Sequence, residues 1–405
     1  MSDAPFSANC LTTPTPYSLE AVKSILASAG HVVIHTSGST GAPKAVLLSA
    51  SALMASAASA DRALDGPGQW LLALPTDHIA GVNVLARSVL AGTHPVTLDR
   101  SVPFSASGFL LATSRLVHPT RYVSLVPTQL HRLISPETFV RDSRTSGAVQ
   151  DEALNALQGY AAVLVGGAAI PAPLLDRARV AGINIVTTYG MSETAGGCVY
   201  NGSPLDIAQV HIDSADRIWL SGPMLADGYI SDTELENLPA FPSSNLPCTT
   251  AHVLREDPAF ITDESGVRWH RTNDLGHLDP ASGTLTILGR ADDVILSGGL
   301  NIVPSRIESA LTDRYGIGQA CVVGVPDPHW GHKVVAVVTQ SGADLAPLDQ
   351  IRGELTATLG RGYGPRAFLT VDQLPLTDSG KPDRRQVERI AQAMTANQPA
   401  RSLRK

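Results

Sequence analysis

Apolar positions along this chain fall into short runs, separated by polar turns that contain glycine or proline and by longer stretches of helical spacing. Val32-Val33-Ile34, Trp70-Leu71-Leu72-Ala73-Leu74, Arg121–Leu125, Ala161–Val165 and Ile183–Thr187 read as strands. Leu19 to Ala29 has helical spacing behind Ser18 as N-cap, and an Ala/Ser-rich helix is expected from Ser49 to Leu64. Further helices are expected up to Leu90, after Pro127, from Pro171 to Val180 and from Pro304 to Leu311. The clearest βαβ unit is Ala161–Val165, a tight loop at Gly166–Ile170, the helix with proline in its first turn, and Ile183–Thr187. Residues 1–18 are expected along the surface, 135–151 as a loose polar connection, and 231–262 as an inserted or variable loop. From Arg217 the texture turns β-rich.

At 405 residues the chain is too long for one ordinary core, so two or more domains are expected. A hydrophobic content of 43% with 17% charged residues describes a globular protein. The formal charge of −7, with no basic block to offset it, argues against nucleic acid as a main partner. Cys10, Cys198, Cys248 and Cys321 stand too far apart for a zinc-ligand pair and are expected as reduced thiols. The N-terminal residues lack a basic region followed by an apolar run, and no apolar stretch reaches membrane-spanning length. A soluble, cytoplasmic protein without membrane insertion is the expectation.

The candidate chemistry starts at His35-Thr36-Ser37-Gly38-Ser39-Thr40-Gly41-Ala42-Pro43-Lys44, between the Val32–Ile34 strand and the helix opening near Ser49. Glycines let backbone N–H groups turn inward, hydroxyls add donors, and Lys44 adds a mobile cation; together these suit a polyphosphate. The spacing is not that of a P-loop or a dinucleotide fingerprint. Alone, such a loop is more often a plain surface turn; the strand before it and Lys44 at its end bring the two readings level. A second run, Thr188-Tyr189-Gly190-Met191-Ser192-Glu193-Thr194, follows a buried strand. Tyr189 offers a flat face for a base, Ser192 a donor, and Glu193 a hard oxygen for Mg²⁺, although Glu193 by itself also reads as a capping carboxylate. His329 and His332 have no third ligand nearby in sequence to make a metal site.

Thr-Ser-Gly-Ser-Thr-Gly-x-Pro-Lys at residues 36–44 resembles the phosphate loop of the adenylate-forming superfamily, which includes acyl-CoA synthetases, peptide-synthetase adenylation domains and luciferases. Ala45 departs from the glycine most members carry there. The Tyr-Gly-x-Ser-Glu run at 189–193, Thr272-Asn273-Asp274-Leu275-Gly276, Leu288–Ile302, Cys321–His332 and Leu376–Arg384 continue the resemblance in order. It implies an α/β fold: a large N-terminal domain of mixed sheets and helices (residues 1–289) and a small mobile α+β domain (290–405). It implies ATP, Mg²⁺ and coenzyme A as cofactors, and a homodimer is compatible with it. Thr36, Ser37, Gly38, Ser39, Thr40, Gly41 and Lys44 would hold phosphates. Gly166, Gly167 and Ala168 would line the adenine, with Tyr189 stacked on it and Gly190 beside it. Ser192 would reach the α-phosphate, Glu193 the metal, Asp274 the ribose, and Arg290 ribose or phosphate. Asp292 would be the hinge, Gly298 and Gly299 would approach the acyl-adenylate and CoA, and Lys381 would be the adenylation lysine. Leu300 departs from the glutamate common in many ligases. His78, Asn83, Thr128 and Gln129 would flank the acid, and none of them is a permanent cation. Val123–Leu130, with Ser297-Gly298-Gly299-Leu300, is similar to o-succinylbenzoate–CoA ligases of menaquinone biosynthesis. Other aryl or short-chain acid–CoA ligases, and a stand-alone adenylation domain loading a carrier protein, are the alternatives.

Overall fold

The computed structural model describes residues 16–36, 44–134, 146–230, 257–312, 314–340, 345–377 and 382–396. The central sheet follows from strands that are apolar on both faces. Trp70, Leu72, Tyr122, Ala162 and Leu164 enter one core, while Leu71, Val123, Leu125, Val163 and Val165 enter the other. Such strands have to be covered on both sides. Helices Leu19–Ala27, Ala50–Ala63 and Ile79–Leu90 cover the first face. Ala106–Thr113, Pro127–Ile134, Ser146–Gln158 and Ala172–Val180 cover the second.

Among the described residues this sheet runs Val96–Thr97, Gln69–Leu72, Arg121–Leu125, Ala162–Gly166, Ile185–Met191, Gly196–Tyr200, Ser203–Pro204. The strands up to Ile185–Met191 are parallel and the last two turn antiparallel. The carboxyl ends of the parallel strands therefore open along one edge, which is where ligands bind in open α/β sheets. A second sheet joins His31–Thr36, Lys44–Ser49 and Gly228–Ile230, all antiparallel. A third holds Gln209–Ile212, Arg217–Ser221, Arg268–Leu278 and Phe260–Thr262, with Leu285–Arg290 paired on Arg268–Leu278.

The fourth sheet is formed by Leu300–Ile302, Ile295–Ser297, Gly331–Gln340 and Ile317–Asp327, with Ala367–Thr370 parallel to Gly331–Gln340. Helices Pro304–Leu311 and Leu348–Leu359 pack on one face, and Arg384–Ala396 on the other. Its two cores share no residue with the two cores of the earlier sheets.

Several elements differ from the sequence expectation. The strand before the phosphate-loop segment is not followed directly by a helix: Thr36 pairs with Lys44, so the strands flanking residues 37–43 run antiparallel. The apolar run Ala45–Leu48 is a strand of its own, while the helix opens where expected, at Ala50, capped by the Ser49 hydroxyl, which accepts from the Ala52 N–H. The first helix ends at Ala27, and Ala29 takes a left-handed φ of 52°. The polar stretch 135–151 gives way to a helix from Ser146, because Val149, Ala153 and Leu157 recur at one-turn spacing and the last two are fully buried. Phe260–Thr262 is a strand within the span expected as a loop; residues 231–256 lie outside the described residues. Among the described residues no helix is long and apolar enough to cross a membrane.

Candidate active site

Lys44 opens its strand beside Tyr229, whose strand pairs with it at Val46. The ammonium lies 4.5 Å from the Tyr229 ring centroid and 3.8 Å from the Asp257 carboxylate. The Tyr229 hydroxyl donates to Glu193 Oε1 at 2.7 Å. Burial, and then the Glu193 charge, push the Tyr229 pKa upward, so the phenol keeps its proton and remains a donor. His270 packs on Phe260 at 4.7 Å between ring centroids, with Nδ1 lacking a partner, and burial holds its pKa below the usual value. No group of three or more His, Cys, Asp or Glu side chains gathers among the described residues to hold a metal alone. The residues present fit Mg²⁺, which is commonly held by one or two carboxylates together with the oxygens of a bound phosphate. Thr36 Oγ1 donates to the Lys44 carbonyl at 3.2 Å, whereas Ser37, Gly38, Ser39, Thr40 and Gly41 lie outside the described residues.

Four residues before Glu193, the strand Ile185–Met191 presents Tyr189, and a polar chain starts there. Its hydroxyl donates to Asp274 Oδ2 at 2.9 Å, and Arg290 Nη1 lies 3.5 Å from Asp274 Oδ1. Arg290 Nε and Nη2 donate to the two oxygens of Asp292 at 2.8 and 2.6 Å. Burial alone would lower the Arg290 pKa, but the Asp292 hydrogen bond and the charges of Asp292, Asp274 and Asp293 outweigh it. Asp274 and Arg290 are also partners in the antiparallel ladder, which fixes the pair by backbone register. Beside Tyr189 stand Gly166 and Gly190, neither of which has room for a side chain. A Cβ on Gly166 would meet Thr188 Oγ1 at 2.1 Å, and one on Gly190 the Gly196 carbonyl at 2.0 Å. Gly167 turns with φ of 78°, Ala168 is exposed, and the Ser192 carbonyl accepts from Ala195 N–H in the turn Ser192–Thr194.

A cavity of about 120 Å³ lies between helix Ile79–Leu90 and the strand ends. Asn83, Arg87, Ser124, Leu164, Gly190 and Tyr200 are among its walls. Asn83 is buried; its Nδ2 donates to the Ala195 carbonyl at 2.5 Å and its Oδ1 has no partner. His78 stands at the N-cap position of the helix without a side-chain cap, and neither it nor Thr128 or Gln129 belongs to the cavity wall. The Gln129 amide is used on backbone: it accepts from Val126 N–H at 3.1 Å and donates to the Ala73 carbonyl at 3.2 Å. It ties two strand ends together instead of facing the cavity. A larger cleft, about 420 Å³, lies at the Val96–Thr97 edge between Tyr17, His94 and Arg100, and none of the candidate residues lines it. Sequence reasoning missed Tyr229, Tyr200 and Arg87. The last had a signal: a cation four residues after Asn83 in a helix otherwise nearly all apolar or small.

Gly298 and Gly299, with φ of 57° and 78°, form the two-residue turn between Ile295–Ser297 and Leu300–Ile302. The Gly298 N–H donates to the Trp330 carbonyl at 2.9 Å, and the Arg366 guanidinium lies 3.5 Å from the centroid of the Trp330 ring. Lys381 lies outside the described residues; Leu376 and Pro382, on either side of it in sequence, pair as an antiparallel bridge. Arg384 donates to both Glu308 oxygens at 2.7 and 2.8 Å and lies 3.2 Å from Asp293. Adjacent aspartates are thus held from two directions, Asp292 by Arg290 and Asp293 by the last described helix.

The chain matches the model of the AMP-binding enzyme family over residues 8–236, and that of the AMP-binding enzyme C-terminal domain over residues 306–381. It belongs to the AMP-binding enzyme family. A probable 2-succinylbenzoate–CoA ligase of Mycobacterium tuberculosis is 39% identical over 87% of this chain and 82% of that protein. A sulfoacetate–CoA ligase of Cupriavidus necator is 33% identical over 87% of this chain and 65% of its own length. Among solved structures, the o-succinylbenzoate CoA synthetase of Bacillus subtilis in complex with the acyl-adenylate intermediate OSB-AMP aligns with a TM-score of 0.65 at 26% identity. That alignment covers 88% of this chain and 68% of the other. The same enzyme in complex with ATP and magnesium ion aligns at 0.64, again at 26% identity, over 87% and 69%.

Proposed function

We propose that this chain is an ATP-dependent acid–CoA ligase that converts 2-succinylbenzoate to its CoA thioester through an acyl-adenylate. The observation that carries the reading is family membership together with 39% identity to a 2-succinylbenzoate–CoA ligase over most of both chains. In the first half-reaction a carboxylate oxygen attacks the α-phosphorus of ATP and pyrophosphate leaves. In the second, the CoA sulfur attacks the acyl carbon, loses its proton, and AMP leaves.

The carboxylate is already ionised, so the first step needs positioning and charge neutralisation rather than a general base. Lys44 and Lys381 supply positive charge, and Glu193, oriented by Tyr229, is the metal-side carboxylate; bound Mg²⁺ would neutralise phosphate charge. Asp274 accepts the ribose hydroxyls while Tyr189 and Arg290 fix its orientation, and the backbone of Gly166, Gly167 and Ala168 borders the base. Support for these roles is the hydrogen-bonded chain Tyr189–Asp274–Arg290–Asp292 and its closeness in sequence to Glu193. A division into residues 1–289 and 290–405, with rotation about Asp292 between half-reactions, belongs to the same reading; separate cores and the oppositely held Asp292 and Asp293 support it. A role in menaquinone synthesis, a cytoplasmic location and a homodimer are its outer parts. The location is supported by the use of ATP and CoA and by the free thiols of Cys198 and Cys321.

The test is acid-dependent exchange of labelled pyrophosphate into ATP over a panel of carboxylic acids. The reading expects 2-succinylbenzoate to lead the panel; benzoate or a fatty acid leading instead would refute it.

A further inference from the structure

Lys44 is held from two sides. The Tyr229 ring centroid lies 4.5 Å from its ammonium, and Asp257 Oδ2 lies 3.8 Å from it. The neighbouring carboxylate, Glu193, is engaged by the Tyr229 hydroxyl instead. Asp257 is itself fixed in place. Its Oδ1 accepts from Ala259 N–H at 2.8 Å, and its carbonyl accepts from Phe260 N–H at 2.9 Å. Phe260 in turn meets the Tyr229 ring edge-on, 5.6 Å between centroids. Asp257, Phe260 and Tyr229 thus form one packed support that sets where this carboxylate stands relative to Lys44. The Lys44 side chain is 43% exposed and that of Asp257 24%. An ion pair so open to water is worth only roughly 1.5- to 5-fold in an equilibrium constant, so Lys44 leaves it easily.

A carboxylate beside a phosphate-binding lysine opposes the binding of a polyanion in two ways. It competes for the ammonium, and its own charge repels the phosphates. What it supplies in return is a second place for Lys44 to go. In adenylation the bond from the α-phosphorus to the α,β-bridging oxygen breaks, and pyrophosphate takes the electron pair. A lysine without an alternative partner would go on holding that pyrophosphate. One with a fixed carboxylate 3.8 Å away can return to it.

We propose that Asp257 is a positioning residue that acts through Lys44: the ammonium exchanges between this carboxylate and the phosphates, so that nucleotide is held less tightly and pyrophosphate leaves sooner. The inference rests on the adenylate-forming reading of the Lys44 site and adds a control on its leaving group. It depends on no particular acid.

The test is calorimetric titration of the full chain, with no acid present, using Mg·ATP in one series and magnesium pyrophosphate in another. Asp257→Asn removes the charge but keeps an oxygen for the Ala259 N–H, and Asp257→Ser does the same by a shorter side chain. Both dissociation constants should fall roughly 2- to 5-fold in each variant, the worth of an exposed ion pair. The gain should shrink as salt is raised, which a purely structural role would not produce. Asp257→Glu, which keeps the charge, should show no gain. In a Lys44→Met background the Asp257→Asn gain should be smaller, because only repulsion is left to relieve. Binding that is unchanged or weaker in both Asp257→Asn and Asp257→Ser would overturn the proposal, and a loss that tracks free magnesium would make Asp257 a metal-side carboxylate instead. If neither the wild-type protein nor any variant binds Mg·ATP, the adenylate-forming reading and this inference fall together. Tighter binding in both variants, with an acid other than 2-succinylbenzoate leading the panel, would refute the substrate reading and support this inference.

Discussion

Tyr229→Phe is the most selective perturbation of the Lys44–Glu193 cluster. It removes one hydroxyl and leaves the ring, so the Lys44 contact at 4.5 Å persists while the 2.7 Å hydrogen bond to Glu193 is lost. A hydrogen bond to a charged acceptor contributes about 1.5–3 kcal/mol, and a half-buried site puts the expected value near the lower end. Partners that orient a metal-binding carboxylate change metal affinity by about 10- to 100-fold when removed. Both routes give a rise of roughly tenfold in KM for Mg·ATP, with KM for the acid unmoved, because Tyr229 is not part of the acyl cavity. Steady-state kinetics at saturating acid, with the free magnesium concentration varied, measure this directly. Tyr229→Leu, which also removes the ring beneath Lys44, should lose more. An unchanged magnesium and nucleotide dependence in Tyr229→Phe, or a shift confined to the acid, would refute Glu193 as the metal-side carboxylate.

Three further outcomes are expected. Arg384→Met strips both guanidinium hydrogen bonds from Glu308, whose side chain is 16% exposed and keeps, among the described residues, only the Val322 N–H at 2.7 Å, and should cost about 3 kcal/mol by urea denaturation, near the low end for a broken buried pair; a loss near zero would mean that the Val322 N–H and solvent suffice for Glu308. His270 is held neutral by burial, so its folded pKa lies below the ordinary 6.5. Its contribution to stability is present above about pH 6.5 and is lost as pH falls through the folded value. Melting temperature should fall over that window, and the His270→Gln variant should show a flatter dependence; parallel curves would contradict this. Lys381→Ala should slow adenylation by roughly 10²–10³ while sparing thioester formation from synthetic acyl-adenylate; equal slowing of both halves would make the lysine structural.

Strands that are apolar on both faces announce a covered parallel sheet, so Trp70–Leu74, Arg121–Leu125 and Ala161–Val165 were legible from sequence. Ala45–Leu48 was not, because a short apolar run leading into an alanine-rich stretch has no period of its own; pairing with His31–Thr36 on one side and Gly228–Ile230 on the other makes it a strand. The helix Ser146–Gln158 hid for a related reason: its polar exposed face masks the spacing of Val149, Ala153 and Leu157. In the candidate site, the motifs singled out Tyr189, Glu193, Asp274 and Arg290 but did not show the bonds Tyr189–Asp274, Glu193–Tyr229 and Arg290–Asp292 that the structure places there. Gln129 shows the converse. A polar residue at a strand end reads as a ligand contact, yet here its amide satisfies two backbone groups that the turn leaves idle.

The most direct test of the central claim is product analysis of the complete reaction. Purified protein is incubated with ATP, Mg²⁺, CoA and 2-succinylbenzoate, and nucleotides and thioesters are resolved by chromatography with mass detection. The account predicts AMP and 2-succinylbenzoyl-CoA in equal amounts, with none of the thioester when ATP is omitted. Formation of ADP in place of AMP, or adenylate that accumulates and is discharged only onto a phosphopantetheinyl carrier protein and never onto CoA, would contradict it.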